Sequence, residues 1–135
     1  LRQKARPNLF SSALTVPDVA ANLAAVEILQ ESEDLVKKLW HNGDFLKREL
    51  KALGFDTASS ETPITPVIIG EAADAKAFSA KLFEAGVFAT AIVYPTVPKG
   101  TARIRAMVSA AHSEDDLRFA VERFAAVGRE MGLIP

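Results

Sequence analysis

A short segment in which Arg103 and Arg105 alternate with Ile104 and Ala106 places the strongest limit on how this chain can fold. Side chains two positions apart on a strand point to the same side of it. Both guanidinium groups are therefore predicted to leave one face, while Ile104 leaves the other and covers a core. The pattern predicts a half-buried strand over residues 102–108.

The loop before this strand makes a fixed anion site the favoured interpretation. Pro95 and Pro98 stiffen the loop, and no acidic residue occurs from position 94 to position 113. The planar fork of arginine suits a carboxylate, which it can bind through two parallel hydrogen bonds. Arg105 is therefore the candidate anion-binding residue. The alternative is an ordinary surface arginine with a buried stem, and Arg103 is closer to that case.

Helical and strand patterns alternate along the rest of the chain. Apolar spacing, turn residues and caps predict helices over residues 17–30, 32–53, 74–85 and from a capping box of Ser113 and Asp116 to about 131, and strands over residues 64–69, 87–93 and 102–108. The order is helix, helix, strand, helix, strand, strand, helix. This order predicts an α/β fold in which helices pack on a small, mostly antiparallel three-stranded sheet.

The same spacing predicts which side chains face the core. The first helix is expected to bury one face, and Gly43 is expected to be a weak point of the second helix. The predicted inward residues of the later helices are Leu35, Leu39, Phe45, Leu46, Leu50, Ala77, Phe78, Leu82, Phe83, Leu117, Phe119, Val121, Phe124 and Val127.

Composition narrows the classes of function. The chain has 135 residues, 49% of them hydrophobic, and a formal net charge of −1, so it has the size and apolar content of one folded domain. A balanced charge offers no general field for nucleic acid or an anionic membrane. The absence of cysteine excludes disulfides and thiolate catalysis and fits a cytoplasmic protein.

Other candidate sites are weaker. Ser11 and Ser12 could donate hydrogen bonds to a phosphate. His112 is either a general base or, more simply, a hydrogen-bonded structural residue. No spacing of histidine and acidic residues is typical of a metal site, so no metal is expected. The chain begins at Leu1 in what looks like the end of an element, which predicts a fragment of a longer protein; a processed chain is the alternative.

Three segments carry a family resemblance: RPNLFSSAL at 6–14, VPKGTARIR at 97–105 and SAAHS at 109–113. Together they resemble the C-terminal part of the glycine C-acetyltransferases, also called 2-amino-3-ketobutyrate coenzyme A ligases. These ligases belong to the α-oxoamine synthase group. The members of that group are pyridoxal-phosphate enzymes of the aspartate-aminotransferase fold (fold type I). The resemblance implies a segment at 1–16 linking from a large domain, and a small C-terminal α/β domain at 17–135.

The resemblance also implies roles for particular residues. Arg105 takes the place of the arginine that holds the substrate carboxylate, in agreement with the strand pattern. Ser11 and Ser12 take the place of a segment that reaches the cofactor phosphate of the neighbouring subunit in a homodimer, although the ligase pattern has Asn where Ser12 stands. His112 matches a position interpreted as structural.

The family's Schiff-base lysine, pyridine-pairing aspartate and ring-stacking histidine would all precede this chain. None of its eight lysines has the matching context. By itself the chain is therefore expected to be inactive, and the parent would make 2-amino-3-ketobutyrate from glycine and acetyl-CoA, a reaction of threonine catabolism. The alternatives are an 8-amino-7-oxononanoate synthase and a stand-alone regulatory module that binds an amino acid.

Overall fold

The computed structural model describes residues 14–135, and the chain divides into two units after Asp34. The described part contains four helices and three strands: α1 (Val16–Glu31), α2 (Asp34–Ala52), β1 (Ile64–Gly70), α3 (Ala72–Glu84), β2 (Thr90–Ile92), β3 (Ala102–Met107) and α4 (Glu114–Glu130). The predicted order of elements is confirmed. The second strand is shorter than predicted, with three residues instead of seven.

Helix α1 begins where the sequence predicts but buries none of its residues. Thr15 is the N-cap, and its hydroxyl accepts a hydrogen bond from the backbone N–H of Asp18 at 3.3 Å. The predicted buried face is wrong, because apolar side chains surround the helix and remain exposed: Val16, Val19, Leu23, Val26, Ile28 and Leu29. A helix that is apolar all round is typical of the interior of a large protein.

The sheet of the second unit has the order β1-β3-β2, with both pairs antiparallel. Its central strand β3 therefore has hydrogen-bonded neighbours on both sides. Arg105 is paired with Pro66 of β1 and with Thr90 of β2. Ile104 is fully buried on the opposite face. The predicted three-stranded antiparallel sheet, with Ile104 directed into a core, is confirmed.

Three aromatic rings form the centre of that core. Phe55, Phe78 and Phe124 lie with their ring centroids 5.7 to 6.1 Å apart, in tilted and edge-to-face arrangements. Such pairs contribute about 0.5–1.5 kcal/mol beyond the area that they bury. Aliphatic side chains from α2, β1, α3, β3, α4 and the C-terminal segment complete the cluster: Leu46, Leu50, Val67, Leu82, Ile104, Val127 and Ile134. Helices α2, α3 and α4 are thereby fixed on one face of the sheet.

Helix α2 joins the core through its second half only. Phe45, Leu46 and Leu50 are buried as predicted, whereas Leu35 is 52% exposed because it precedes the part of the helix that packs on the core. Gly43 is a site of close packing and not a weak point. A Cβ atom built on it would lie 2.9 Å from the Cα atom of Pro63, so glycine lets the helix approach the segment before β1.

Three further core predictions are wrong for a common reason. The buried stripe of α3 is Ala75, Phe78 and Leu82, which leaves Ala77 and Phe83 to either side of it. Phe83 is 65% exposed and its ring contacts that of Phe88, also exposed. In α4, Phe119 is 42% exposed beneath the guanidinium of Arg123. Each side chain is apolar but lies at the margin of its helix's buried stripe.

Candidate functional site

The open face of the sheet carries the two arginines of β3. Arg103 and Arg105 leave this face together, and Ala102, Ile104 and Ala106 are buried on the other. Because β3 is central, residues of both neighbouring strands flank the arginines. Ile68 and Ile92 pair with Arg103, and Pro66 and Thr90 pair with Arg105. Two cations therefore project from a largely apolar surface.

The two arginines differ in how they are held. The Nε–H of Arg103 donates to the carbonyl oxygen of Thr101 at 3.1 Å. The Arg105 side chain is exposed and has no hydrogen bond or ion pair with any residue among 14–135. The predicted orientation of Arg105 is therefore found, and its guanidinium group is available to an external anion.

Arg105 lines two cavities. The first, of about 460 Å³, also contains Arg103, the acidic residue Glu61 and a set of hydroxyl-bearing residues, Ser59, Ser60, Thr62 and Thr96. The second, of about 610 Å³, is mainly apolar and includes Val87, Phe88, Met107 and Phe119 together with His112 and Asp116. An anionic group bound at Arg105 would thus have, on one side, a space with hydroxyl groups and one carboxylate in its lining and, on the other, a mainly apolar space.

His112 behaves as the structural residue that the sequence favoured. Its Nδ1 accepts a hydrogen bond from the backbone N–H of Ser109 at 3.2 Å. Its carbonyl oxygen accepts another from Nδ2 of Asn42 at 3.1 Å. Both contacts order the turn between β3 and α4.

The predicted capping box at the start of α4 is confirmed. The hydroxyl of Ser113 and its backbone N–H donate to the carboxylate of Asp116 at 2.7 and 2.8 Å, and the backbone N–H of Asp116 donates back to that hydroxyl. These hydrogen bonds lower the pKa of Asp116, with that from the Ser113 side chain as the largest cause. The N-terminus of α4, the helix that covers the core behind Arg105, is therefore capped.

The remaining predictions concern the two serines, metal binding and membrane spans. Ser11 and Ser12 lie outside the described residues. Within residues 14–135, no three histidine, cysteine or acidic residues are grouped as metal ligands. No helix in the same range has the length and apolar character that crossing a membrane requires.

Sequence reasoning missed the residues that support the site from a distance. Asn42 and Lys47 of α2 contact the loop after β3 and the loop before β1, which lie at the same end of the sheet. Ser60 and Thr62 line the cavity, in a segment to which the sequence analysis assigned no role. The cluster of hydroxyl residues before β1 was the available signal for the loop, but nothing local indicated its partners.

Comparison with known proteins assigns the fold to a family. The model for aminotransferase class I and II matches residues 1–124. The chain belongs to the class I and II aminotransferase family. Its predicted aspartate-aminotransferase fold (fold type I) is confirmed.

Relatives within the family are similar over nearly the whole chain. The 8-amino-7-oxononanoate synthases of Coprothermobacter proteolyticus and Thermosipho melanesiensis are 61% and 58% identical, each over 99% of this chain and 34% of their own length. The chain thus spans about a third of the curated relatives that it matches. Its homology to the α-oxoamine synthase group, predicted from the sequence, is confirmed at that level.

Solved structures agree with this class I and II aminotransferase assignment. Sphingomonas wittichii serine palmitoyltransferase superposes with a TM-score of 0.90 at 29% identity, over 99% of this chain and 34% of that one. Serine palmitoyltransferase from S. paucimobilis, solved with a bound pyridoxal phosphate–myriocin aldimine, gives 0.87 at 27% identity, over 96% and 33%. Both share the helix and strand arrangement described above.

Proposed function

We propose that the intact protein is an α-oxoamine synthase, which joins the α-carbon of a small amino acid to the acyl group of a thioester. The observation that carries the proposal is the guanidinium of Arg105 on the central strand, which has no ion pair within residues 14–135. Every amino acid that such an enzyme uses as a substrate has an α-carboxylate. An arginine on a central strand that pairs with no acidic residue among residues 14–135 is the matching receptor.

The role assigned to Arg105 is orientation. Two parallel hydrogen bonds to the carboxylate fix the direction of the bonds around the α-carbon. The bond that must break is therefore held in the productive orientation. Charge-assisted hydrogen bonds of this kind are worth about 1.5–3 kcal/mol. Strand β3 suits the task because both of its neighbours restrain it.

Pyridoxal phosphate is the cofactor proposed for the intact protein, and when bound it supplies an electron sink for a carbanion. The residues of this chain fit the binding of the amino-acid substrate in that chemistry. Arg105 offers a guanidinium group to which no acidic residue in the described range is bound. Ser11 and Ser12 are proposed to donate to the cofactor phosphate in a homodimer. The chain is proposed to be the small C-terminal domain, with residues 1–16 linking to a large one.

Two substrate pairs remain as candidates within this class. The names of the bacterial relatives favour alanine with a pimeloyl thioester, which gives 8-amino-7-oxononanoate, CoA and carbon dioxide. The segment VPKGTARIR at 97–105 favours glycine with acetyl-CoA, which gives 2-amino-3-ketobutyrate and CoA. The first pair is the preferred proposal because identity over the whole chain outweighs one segment.

The test is to purify the full-length protein with its cofactor and supply each pair separately. Release of free CoA and the mass of the amino-ketone product are measured. We expect turnover with alanine and the pimeloyl thioester; turnover with only glycine and acetyl-CoA would assign the second pair instead. If neither pair reacts, while the 135-residue chain alone binds an amino acid in calorimetry, the synthase proposal fails in favour of a binding module.

A further inference from the structure

The loop at residues 59–62 forms one wall of the cavity that contains both arginines. Ser59, Ser60, Glu61 and Thr62 line this cavity of about 460 Å³ together with Arg103 and Arg105. We call residues 59–62 the hydroxyl rim. A carboxylate bound at Arg105 presents further oxygen lone pairs, and a hydroxyl group such as that of Ser59 is a suitable donor for them. The position of the rim therefore affects how well the site encloses an anion.

Internal hydrogen bonds tie the hydroxyl rim to the start of β1. The hydroxyl of Ser60 donates to the carbonyl oxygen of Ile64 at 2.7 Å. The hydroxyl oxygen of Ser60 also lies 3.2 Å from Oγ1 of Thr62. These contacts give the rim a shape but are all local, spanning four residues or fewer. They connect the rim only to the strand that follows it and to no helix.

Lys47 of α2 provides the long-range connection. Its ammonium group donates to the carbonyl oxygens of Ser60 at 2.8 Å and of Thr62 at 3.3 Å. The side chain is half-buried and forms no ion pair with an acidic residue of the described chain. Lys47 does not itself line the cavity. Its cationic group is therefore used to hold the rim's backbone.

The geometry of α2 explains how Lys47 reaches the rim. Gly43 precedes it by four positions, so the two residues lie on the same side of the helix one turn apart. Without a side chain at Gly43, the helix backbone comes against Pro63, the residue that follows the rim. The close approach at Gly43 and the two hydrogen bonds of Lys47 thus hold one continuous segment.

We propose that Lys47 is a positioning residue of the substrate site: it fixes the hydroxyl rim in the cavity that Arg105 also lines and so raises affinity for the amino acid. This role rests on the proposed function of Arg105 as the carboxylate receptor. A rim that is free to move must be ordered when substrate binds, and that ordering weakens binding. The orientation of the bound amino acid still depends on Arg105, so the chemical step itself is left nearly unchanged.

The test compares three variants of the full-length holoenzyme: Lys47→Met, which keeps the length of the side chain but removes its donors, Lys47→Arg, which restores them, and the control Lys51→Met. Lys51 is exposed one turn further along α2, and its side chain forms no hydrogen bond with the rim. We expect Lys47→Met to raise the KM for the amino acid roughly fivefold, with kcat within about twofold, because uniform binding is lost. Lys47→Arg and Lys51→Met should match the wild type.

Amide hydrogen exchange gives a readout that does not depend on activity. In Lys47→Met the peptide that covers the hydroxyl rim should exchange faster than in the wild type, while the peptide that covers β3 should not change. Unchanged KM together with unchanged exchange would overturn the inference, as would an equal effect from Lys51→Met. If Arg105→Lys raises the KM but Lys47→Met does not, only the role of Lys47 fails. If the wild type joins no amino acid to any thioester, the proposed function fails first.

Discussion

Asn42 and Ser109 are 67 positions apart in the sequence, and the side-chain amide of Asn42 donates a 2.9 Å hydrogen bond to the carbonyl oxygen of Ser109. The same amide nitrogen donates to the carbonyl oxygen of His112 at 3.1 Å. Asn42 is only 3% exposed. It therefore fastens the segment that follows Arg105's strand directly to helix α2.

Replacing Asn42 with alanine should reduce the free energy of unfolding by roughly 2 kcal/mol, because two carbonyl groups lose their donor in a buried place. Urea unfolding followed by circular dichroism measures the change. Asn22→Ala is the matched control, since its amide bonds to the Asp18 carbonyl on an exposed helix surface. That change should cost no more than about 0.5 kcal/mol. Equal losses for the two variants would contradict the assigned role of Asn42.

Replacing Arg105 with lysine should raise the KM for the amino-acid substrate at least tenfold, on the order of the loss of one charge-assisted hydrogen bond. The ammonium group keeps the charge but cannot bind a carboxylate through two parallel bonds. Steady-state kinetics of the full-length enzyme with varied amino acid measure the effect.

Arg103→Lys provides the comparison for that prediction. Arg103 projects from the same face but already donates to the Thr101 carbonyl. Its replacement should change the KM much less than that of Arg105. The reverse ranking would transfer the carboxylate site to Arg103, and an unchanged KM in Arg105→Lys would remove Arg105 from the role.

Thr65→Val should stabilise the protein by about 1 kcal/mol. Thr65 is fully buried on the inner face of β1, and its hydroxyl has no hydrogen-bond partner in the described chain. A methyl group in its place removes an unsatisfied polar atom at nearly constant volume. Denaturant unfolding tests the change beside Thr101→Val, whose hydroxyl donates to Pro98 O at 2.8 Å and which should show no gain. A destabilised Thr65→Val variant would mean that the hydroxyl does have a partner.

The capping box predicts a dependence of stability on acid. Hydrogen bonds from Ser113 hold the pKa of Asp116 below its ordinary value. A carboxyl whose pKa is lower in the folded state stabilises the fold above its unfolded pKa of about 3.9, and this contribution is lost as the pH falls through the folded pKa. In Ser113→Ala the pKa of Asp116 should move back toward the ordinary value. The acid limb of a plot of Tm against pH should therefore be shallower than in the wild type, and parallel limbs would refute the linkage.

The parts of the fold that follow from local pattern could be predicted from the sequence. The order of elements, the capping box at Ser113 and the outward direction of Arg105 all depend on residues within a few positions of one another. The faces of helices were predicted less well. Leu35, Ala77, Phe83 and Phe119 are apolar at helical spacing, yet which of several apolar stripes is buried depends on the neighbouring elements.

Long-range supports could not be predicted at all. Lys47 looks like an ordinary charged residue on an amphipathic helix, and its carbonyl partners lie 13 and 15 positions away in a loop. Gly43 looks like an interruption of the same helix until Pro63 is seen against it. A single sequence does not show which loop packs against which helix. The roles of these residues can therefore be recognised only in the three-dimensional structure.

The register of β3 against β1 links correct folding to the ability to bind. Ile104 is opposite Val67, and Arg105 is opposite Pro66. A slip of one residue would turn both guanidinium groups inward and push Ile104 into water, since alternate side chains change face together. A misaligned chain would lose its core and its anion receptor in the same event. Misfolded copies would therefore be both unstable and unable to sequester substrate.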